Sequence, residues 1–345
     1  MINFTLSMEQ VTPFDRKQVE YLVKTACGFS SHIMYTHKSR TINGKSMLGL
    51  LSLGATGMSP VQISVEGEDE KQAADRLRGI LEGGVISPKG YEDAEELLRR
   101  VKEAYQNILG EKLAALYVHG SMAFGCFNWS KSDIDLLVVV RSDPGPEKLE
   151  KLVRVLADLE EAAPPKGFEM SVILESDCRK LCHPVPFIAH YSLMHAAAFR
   201  EDPEGYIGRM HGEDPDLICH IAALKKADIT LLGPEPLRMF GPVNRKDVLD
   251  SILRDSPENP EDVHKDPIYT VLNLCRALAF KRENVMLSKQ QGGEWGLDHL
   301  GVAYQGLIQA ALNAYKSDND MSYDDEKAED FVYDSLEELR KADPA

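Results

Sequence analysis

Two periods of apolar residues run along this chain, and their succession predicts its elements. Ile2, Phe4, Leu6 and Met8 alternate with polar neighbours, the period of a strand. Val19, Leu22, Val23 and Ala26 then share one face of a helix over 14–27. Strands over 31–37 and 60–65 flank a short apolar helix over 47–53. An amphipathic helix over 69–81, with Ala73, Ala74, Leu77, Ile80 and Leu81 on one side, runs into Gly83-Gly84. Residues 85–91 hold a proline and a glycine and read as a linker. Next come a helix over 92–108, a strand from Leu113, a strand through Leu136 to Val140, a helix over 147–159 and a strand over 167–174. From 176 onward the pattern is mostly helical, with helices over 218–232, 246–254, 268–281, 297–315 and 329–341. A loop rich in proline and acid separates two of them.

A length of 345 residues suggests two or three domains, and 43% hydrophobic content is enough for ordinary cores. The chain has no apolar run of about 18 residues, so no membrane span is expected. The N-terminal residues lack a basic start and an apolar signal core. The six cysteines are scattered without a C-x-x-C pair, as in reduced thiols, and the expected location is cytoplasmic. Net charge is −16; residues 1–85 hold nine basic and nine acidic side chains, so the remainder carries all of it. Such a chain repels a polynucleotide, whose binders present basic patches, and attracts a cationic small molecule. No nucleic-acid partner is expected.

The chemistry concentrates in Leu113 to Val140. Gly120 breaks a bulky strand and permits a sharp turn. Ser121 stands where a helix begins, with a hydroxyl and backbone N–H groups free to meet an anion. Ser132-Asp133-Ile134-Asp135 then leads into five apolar residues. Asp133 and Asp135, two apart on a strand, point to one face. Side by side they repel, and a divalent metal removes that cost; Mg²⁺ binds through one or two carboxylates plus substrate phosphates. Glu169 opens the next strand, with Phe168, Met170 and Val172 facing the other way, and is the third candidate carboxylate; Glu175 is the alternative. A phosphate-gripping turn joined to a carboxylate pair is machinery for moving a phosphoryl or nucleotidyl group.

Gly120-Ser121, Gly125 and Ser132-Asp133-Ile134-Asp135 resemble the signature of nucleotidyltransferases of the DNA polymerase β type. His119-Gly120-Ser121 and the C-terminal half are most similar to the streptomycin/spectinomycin adenylyltransferases. The matching points there are Asp228 to Pro234, the helix with Asn273 to Arg276, and Ser288-Lys289 followed by Glu294-Trp295. The resemblance implies an enzyme that uses ATP and Mg²⁺ to adenylylate a hydroxyl of an aminoglycoside-type antibiotic. It implies Asp133, Asp135 and Glu169 as metal ligands and catalytic residues, with Glu169 taking the hydroxyl proton. Gly120, Ser121, Ser132 and Lys289 would bind the nucleotide. Asp266, and more loosely Asp262, would contact the cationic acceptor; each also suits a helix cap. The family places tryptophans in the antibiotic cleft. This chain has only Trp129 and Trp295, which leaves Tyr191 or Phe199 as substitutes.

Residues 1–84 resemble HPr, the phosphocarrier protein of the sugar phosphotransferase system, through 22–26, 44–53 and 66–70. Asp15 stands at the family's phosphohistidine and Lys17 at its arginine, so phosphate relay is expected to be lost. Ser46 matches its regulatory serine and equally suits an N-cap. The resemblance also leaves open a contact with an HPr kinase or another regulator through residues 1–85. The fold class expected is therefore α+β: an HPr-like open-faced sandwich over 1–85, a mixed-sheet nucleotidyltransferase domain over 92–178 and an α-helical bundle over 179–345. Rival readings are a nucleotidyltransferase acting on a protein, and a regulatory binding module without activity.

Overall fold

The computed structural model describes residues 1–6, 16–27, 29–38, 40–52, 61–67, 69–71, 73–74, 77–78, 91–316 and 320–341. Asp15, Met8, Gly83-Gly84 and most of the expected linker lie outside them. The chain divides into two units, Met1–Ser87 and Pro88–Ala345.

In the first unit, strands β1 (Ile2–Leu6), β2 (His32–His37), β3 (Arg40–Asn43) and β4 (Val61–Glu66) form an antiparallel sheet in the order β1-β4-β2-β3. Alternate residues of β2 and β4 are buried: Ile33, Tyr35, Val61, Ile63 and Val65 meet Val19, Leu22 and Ala26 of helix Arg16–Cys27. One sheet face is thus covered by helix, the arrangement that period-2 patterning beside an amphipathic helix demands. Ser46 Oγ accepts from the backbone N–H of Gly49 at 3.0 Å, capping helix Met47–Ser52.

The second unit is built on a five-stranded sheet of β5 (Leu113–Val118), β6 (Ile134–Val140), β7 (Phe168–Leu174), β9 (Ala189–Ser192) and β11 (Ile229–Leu232), in the order β11-β5-β6-β7-β9. Strands β8 (Val185–Phe187) and β10 (Gly212–Asp214) form a separate antiparallel pair. Helix Pro146–Leu159 carries the chain from β6 to β7, which pair in parallel; the other pairings of the large sheet are antiparallel. Both faces are buried. Ile134, Leu136, Val138 and Val140 pack with helices Tyr91–Leu109 and Pro146–Leu159, while Leu137 and Val139 pack with helix Leu217–Lys226. Covering on both sides explains why β6 reads as an apolar run from Leu136 to Val140.

The helix expected over 218–232 ends at Lys226. Ile229–Leu232 is instead β11, an edge strand antiparallel to β5. An apolar run of this length fits either state by period alone, and pairing with β5 decides it. The stretch expected to be helical thus supplies four strands, β8 to β11. The helix expected over 297–315 is two, Lys289–His299 and Val302–Lys316. Helices Arg245–Arg254, Pro267–Glu283 and Asp325–Arg340 stand where the periodicity puts them. No helix among the described residues is long and apolar enough to cross a membrane.

One helix pair approaches closely through glycines. Helix Lys289–His299 presents Gly292, Gly293 and Gly296 to helix Pro267–Glu283, and a Cβ at Gly292 would stand 2.8 Å from the backbone nitrogen of Arg276. Only residues without a side chain allow that approach, so Gly292→Val is expected to cost about 1–3 kcal/mol of unfolding free energy through overpacking. Urea denaturation measures it; a stability equal to the parent's would refute the tight packing.

Candidate active site

Strand β5 is buried along its whole length and is followed by His119, whose backbone N–H donates to the Asp135 carbonyl at 3.1 Å. Gly120 follows with φ +61°, and a Cβ built there would overlap Oδ2 of Asp135. Left-handed backbone and missing space both require glycine. The turn leads into helix Gly120–Ala123, where Ser121 Oγ is buried with no hydrogen-bond partner. An orphaned buried hydroxyl is costly unless something fills its bonding capacity, and here a ligand oxygen could do so. Ser132 is buried, and its Oγ accepts from the Asn128 N–H at 3.1 Å, closing the loop between the turn and β6.

Asp133 immediately precedes β6 and Asp135 is its second residue. The parallel register sets Asp135 directly beside Glu169 of β7. One oxygen from each of Asp133, Asp135 and Glu169 lies within 4.8 Å of the others, a spacing that could hold a metal ion. Burial, and then the neighbouring Asp133 and Glu169, push the Asp135 carboxyl well above the usual range. Burial likewise raises Glu169; His220 opposes the rise, and Asp133, Asp214 and Asp216 add to it. Three crowded acids in a partly buried site are what a divalent cation stabilises, and oxygen-only donors suit a hard one. Behind them His119 is buried against His220, ring centroids 4.8 Å apart, and burial drives its imidazole far towards the neutral form.

These groups open onto a cleft of about 530 Å³ within the second unit, which Lys289 and Arg276 also line. Lys289 begins helix Lys289–His299, whose N-cap Ser288 makes a reciprocal capping box with Gln291. Its ammonium lies 4.4 Å from the Tyr269 ring centroid. Burial, then nearby Arg276, lowers the Lys289 pKa to about 8, so the group is still mostly charged at neutral pH. Arg276 sits on helix Pro267–Glu283, its Nε donating to Asn273 Oδ1 at 2.6 Å.

Asp133, Asp135, Glu169, Gly120, Ser121, Ser132 and Lys289 thus share one cleft, and Asp262 and Asp266 are not among its lining residues. Asp266 caps helix Pro267–Glu283 by accepting from the Tyr269 N–H at 3.0 Å. Asp262 accepts from the Asn259 N–H at 3.0 Å and pairs with Lys265 at 2.7 Å. The further carboxylates on the cleft are Asp214, Asp216 and Asp255. Sequence reasoning passed over them, although Asp214-Pro215-Asp216 directly before an apolar helix was a visible signal. Tyr191 and Phe199 do not reach the cleft either; both are buried in the core, with the Tyr191 hydroxyl donating to Glu160. Met194, 84% exposed, and His190 line the wall instead.

The raised carboxyls carry a stability signature. An acid whose folded pKa lies above its unfolded value leaves the fold unopposed at low pH, and stability is lost as pH rises through the folded value. Without divalent cation, Asp135→Asn is therefore expected to raise the thermal midpoint at pH 8, with the gain shrinking as pH falls towards about 4, the unfolded carboxyl range. Calorimetry with a chelator tests it; a lower midpoint at pH 8 would contradict the buried, repelled carboxylate.

Comparison with known proteins agrees with this geometry. Residues 94–166 match the nucleotidyltransferase domain, residues 238–338 the aminoglycoside adenylyltransferase C-terminal domain, and residues 16–83 the PTS HPr component phosphorylation site. A spectinomycin 9-adenylyltransferase of Staphylococcus aureus is 23% identical over 240 residues, 68% of this chain and 89% of that protein. An aminoglycoside (3'') (9) adenylyltransferase of Klebsiella pneumoniae is 24% identical over 251 residues, 71% of this chain and 94% of that protein. The fold is shared with a spectinomycin adenyltransferase from Enterococcus faecialis solved with ATP and spectinomycin, at TM-score 0.61 and 19% identity, covering 72% of this chain and 99% of that one. A nucleotidyltransferase domain, the adenylyltransferase C-terminal domain behind it, and relatives matched over most of their length lead to one conclusion: the chain is a nucleotidyltransferase enzyme similar to the aminoglycoside adenylyltransferases, with an HPr-like region before it in the sequence.

Proposed function

We propose that this enzyme transfers AMP from ATP to a hydroxyl of an aminoglycoside-type acceptor and releases pyrophosphate. The observation that carries the proposal is the meeting of Asp133, Asp135 and Glu169 in the cleft that also holds Lys289 and the orphaned Ser121 hydroxyl. Asp133, Asp135 and Glu169 would hold Mg²⁺, which supplies charge neutralisation at the α-phosphate. Ser121 Oγ, with the backbone at Gly120, binds a phosphate oxygen, and Ser132 keeps the turn in place for it. Lys289 supplies fixed positive charge to the triphosphate from a partly buried position, where its effect is stronger than in bulk water. Glu169, with a carboxyl raised by burial, is suited to take the proton as the acceptor oxygen bonds to the α-phosphorus and the α–β bridging bond breaks. Asp214 and Asp216, close enough to raise Glu169, give this end of the cleft a negative potential that favours an acceptor carrying ammonium groups. The expected direct role of Asp262 and Asp266 in acceptor binding has less support, since both are engaged as caps.

The first unit admits a regulatory reading through Ser46. Its hydroxyl already caps a helix, which by itself accounts for the residue. Incubation with an HPr kinase and ATP, followed by intact mass, tests the switch; an unshifted mass removes it.

With MgATP and a panel of aminoglycosides, mass spectrometry is expected to find an acceptor that gains one AMP, and chelation to abolish the gain. Glu169→Gln is expected to lower turnover by about 10²-fold or more while leaving ATP affinity largely intact. Near-normal turnover in that variant would take the proton-accepting role from Glu169.

A further inference from the structure

A carboxylate stands on the cation-bearing side of the cleft, and its hydrogen bonds say what it does there. Asp255 follows helix Arg245–Arg254 and lines the cleft. The Tyr269 hydroxyl donates to it, lying 3.0 and 2.8 Å from its two oxygens, and Asn273 Nδ2 donates to it at 3.1 Å. Tyr269, Asn273 and Arg276 are spaced four and three residues apart, so they form one stripe along helix Pro267–Glu283. Each of the first two carries a cation. The Tyr269 ring supports the Lys289 ammonium at 4.4 Å, and the Asn273 carbonyl oxygen fixes Arg276 through Nε at 2.6 Å. A guanidinium held at Nε has its plane set, and an ammonium over a ring in a desolvated site is held by the ring quadrupole.

We propose that Asp255 is a positioning residue for the ATP triphosphate, acting through Tyr269 on Lys289 and through Asn273 on Arg276. The inference rests on the reading that Lys289 and Arg276 face the triphosphate. Asp255 makes its bonds to the two neutral side chains, and those in turn hold the cations. The carboxylate therefore fixes the cations without occupying the hydrogen-bonding positions that phosphate oxygens would use.

The test is calorimetric binding of MgATP and, separately, AMP to the full chain and to the variants Asp255→Ala, Asp255→Asn, Tyr269→Phe and Lys289→Ala. Losing the relay removes hydrogen bonds to a charged group, so Asp255→Ala is expected to weaken ATP by about tenfold or more and AMP by less than about threefold. Asp255→Asn keeps an oxygen for the tyrosine hydroxyl and is expected to restore most of the ATP affinity. Tyr269→Phe keeps the ring under Lys289 and is expected to give a partial loss, again confined to ATP; it carries the comparison if Asp255→Ala does not fold. Equal losses for ATP and AMP would mark a general structural role and overturn the proposal. Unchanged ATP affinity in Asp255→Ala alongside a loss in Lys289→Ala would overturn the relay alone. Unchanged affinity in Lys289→Ala would overturn the triphosphate reading, and the relay with it.

Discussion

Burying like charges together is unfavourable, and the second unit is arranged around one such place. Asp135 and Glu169 stand side by side because β6 and β7 run parallel in a register that their apolar neighbours fix. Ile134 and Leu136 with Phe168 and Met170 fill the face under helices Tyr91–Leu109 and Pro146–Leu159. Sliding either strand by one residue would turn its acid into that core and its apolar partners into the cleft. The hydrophobic core thus holds the carboxylates together against their repulsion. Gly120 completes the arrangement, since any side chain there would displace Asp135.

The opposite charge comes from a distant part of the chain. Lys289 and Arg276 belong to two helices that pack tightly through glycines, and Lys289 lies at the capped start of one of them. Their position is a packing result: the cap fixes where the helix begins, and the glycines fix how near it comes. The cleft consequently gathers acids from the sheet, the helical cations Lys289 and Arg276, and further acids at Asp214, Asp216 and Asp255. A net charge of −16 describes none of this, because the cleft's field depends on a few buried groups rather than on the sum.

The HPr-like region is a fold of its own, with a separate core beneath one sheet face. Asp15 stands where the HPr resemblance expects a phosphohistidine. Among the described residues this unit keeps a sheet covered by a helix and a capping serine, Ser46.

Much was legible in the amino-acid order. Period-2 alternation marked the first sheet, and the glycine-serine turn with Ser132-Asp133-Ile134-Asp135 marked the site, because local geometry alone puts those groups at one strand end. Glu169 could be named because a lone charge beginning an apolar strand has few places to go. The chain order could not decide whether Ile229–Leu232 would continue a helix or pair with β5, since that depends on an available sheet edge. Nor could it show that Asp262 and Asp266 cap helices, or that Tyr269 and Asn273 hydrogen-bond Asp255, since each depends on which polar groups the fold brings within reach. Local sequence determined which groups are candidates for chemistry. Tertiary packing decided which of them meet, because side chains far apart in the chain share a cleft only when separately folded elements bring them there.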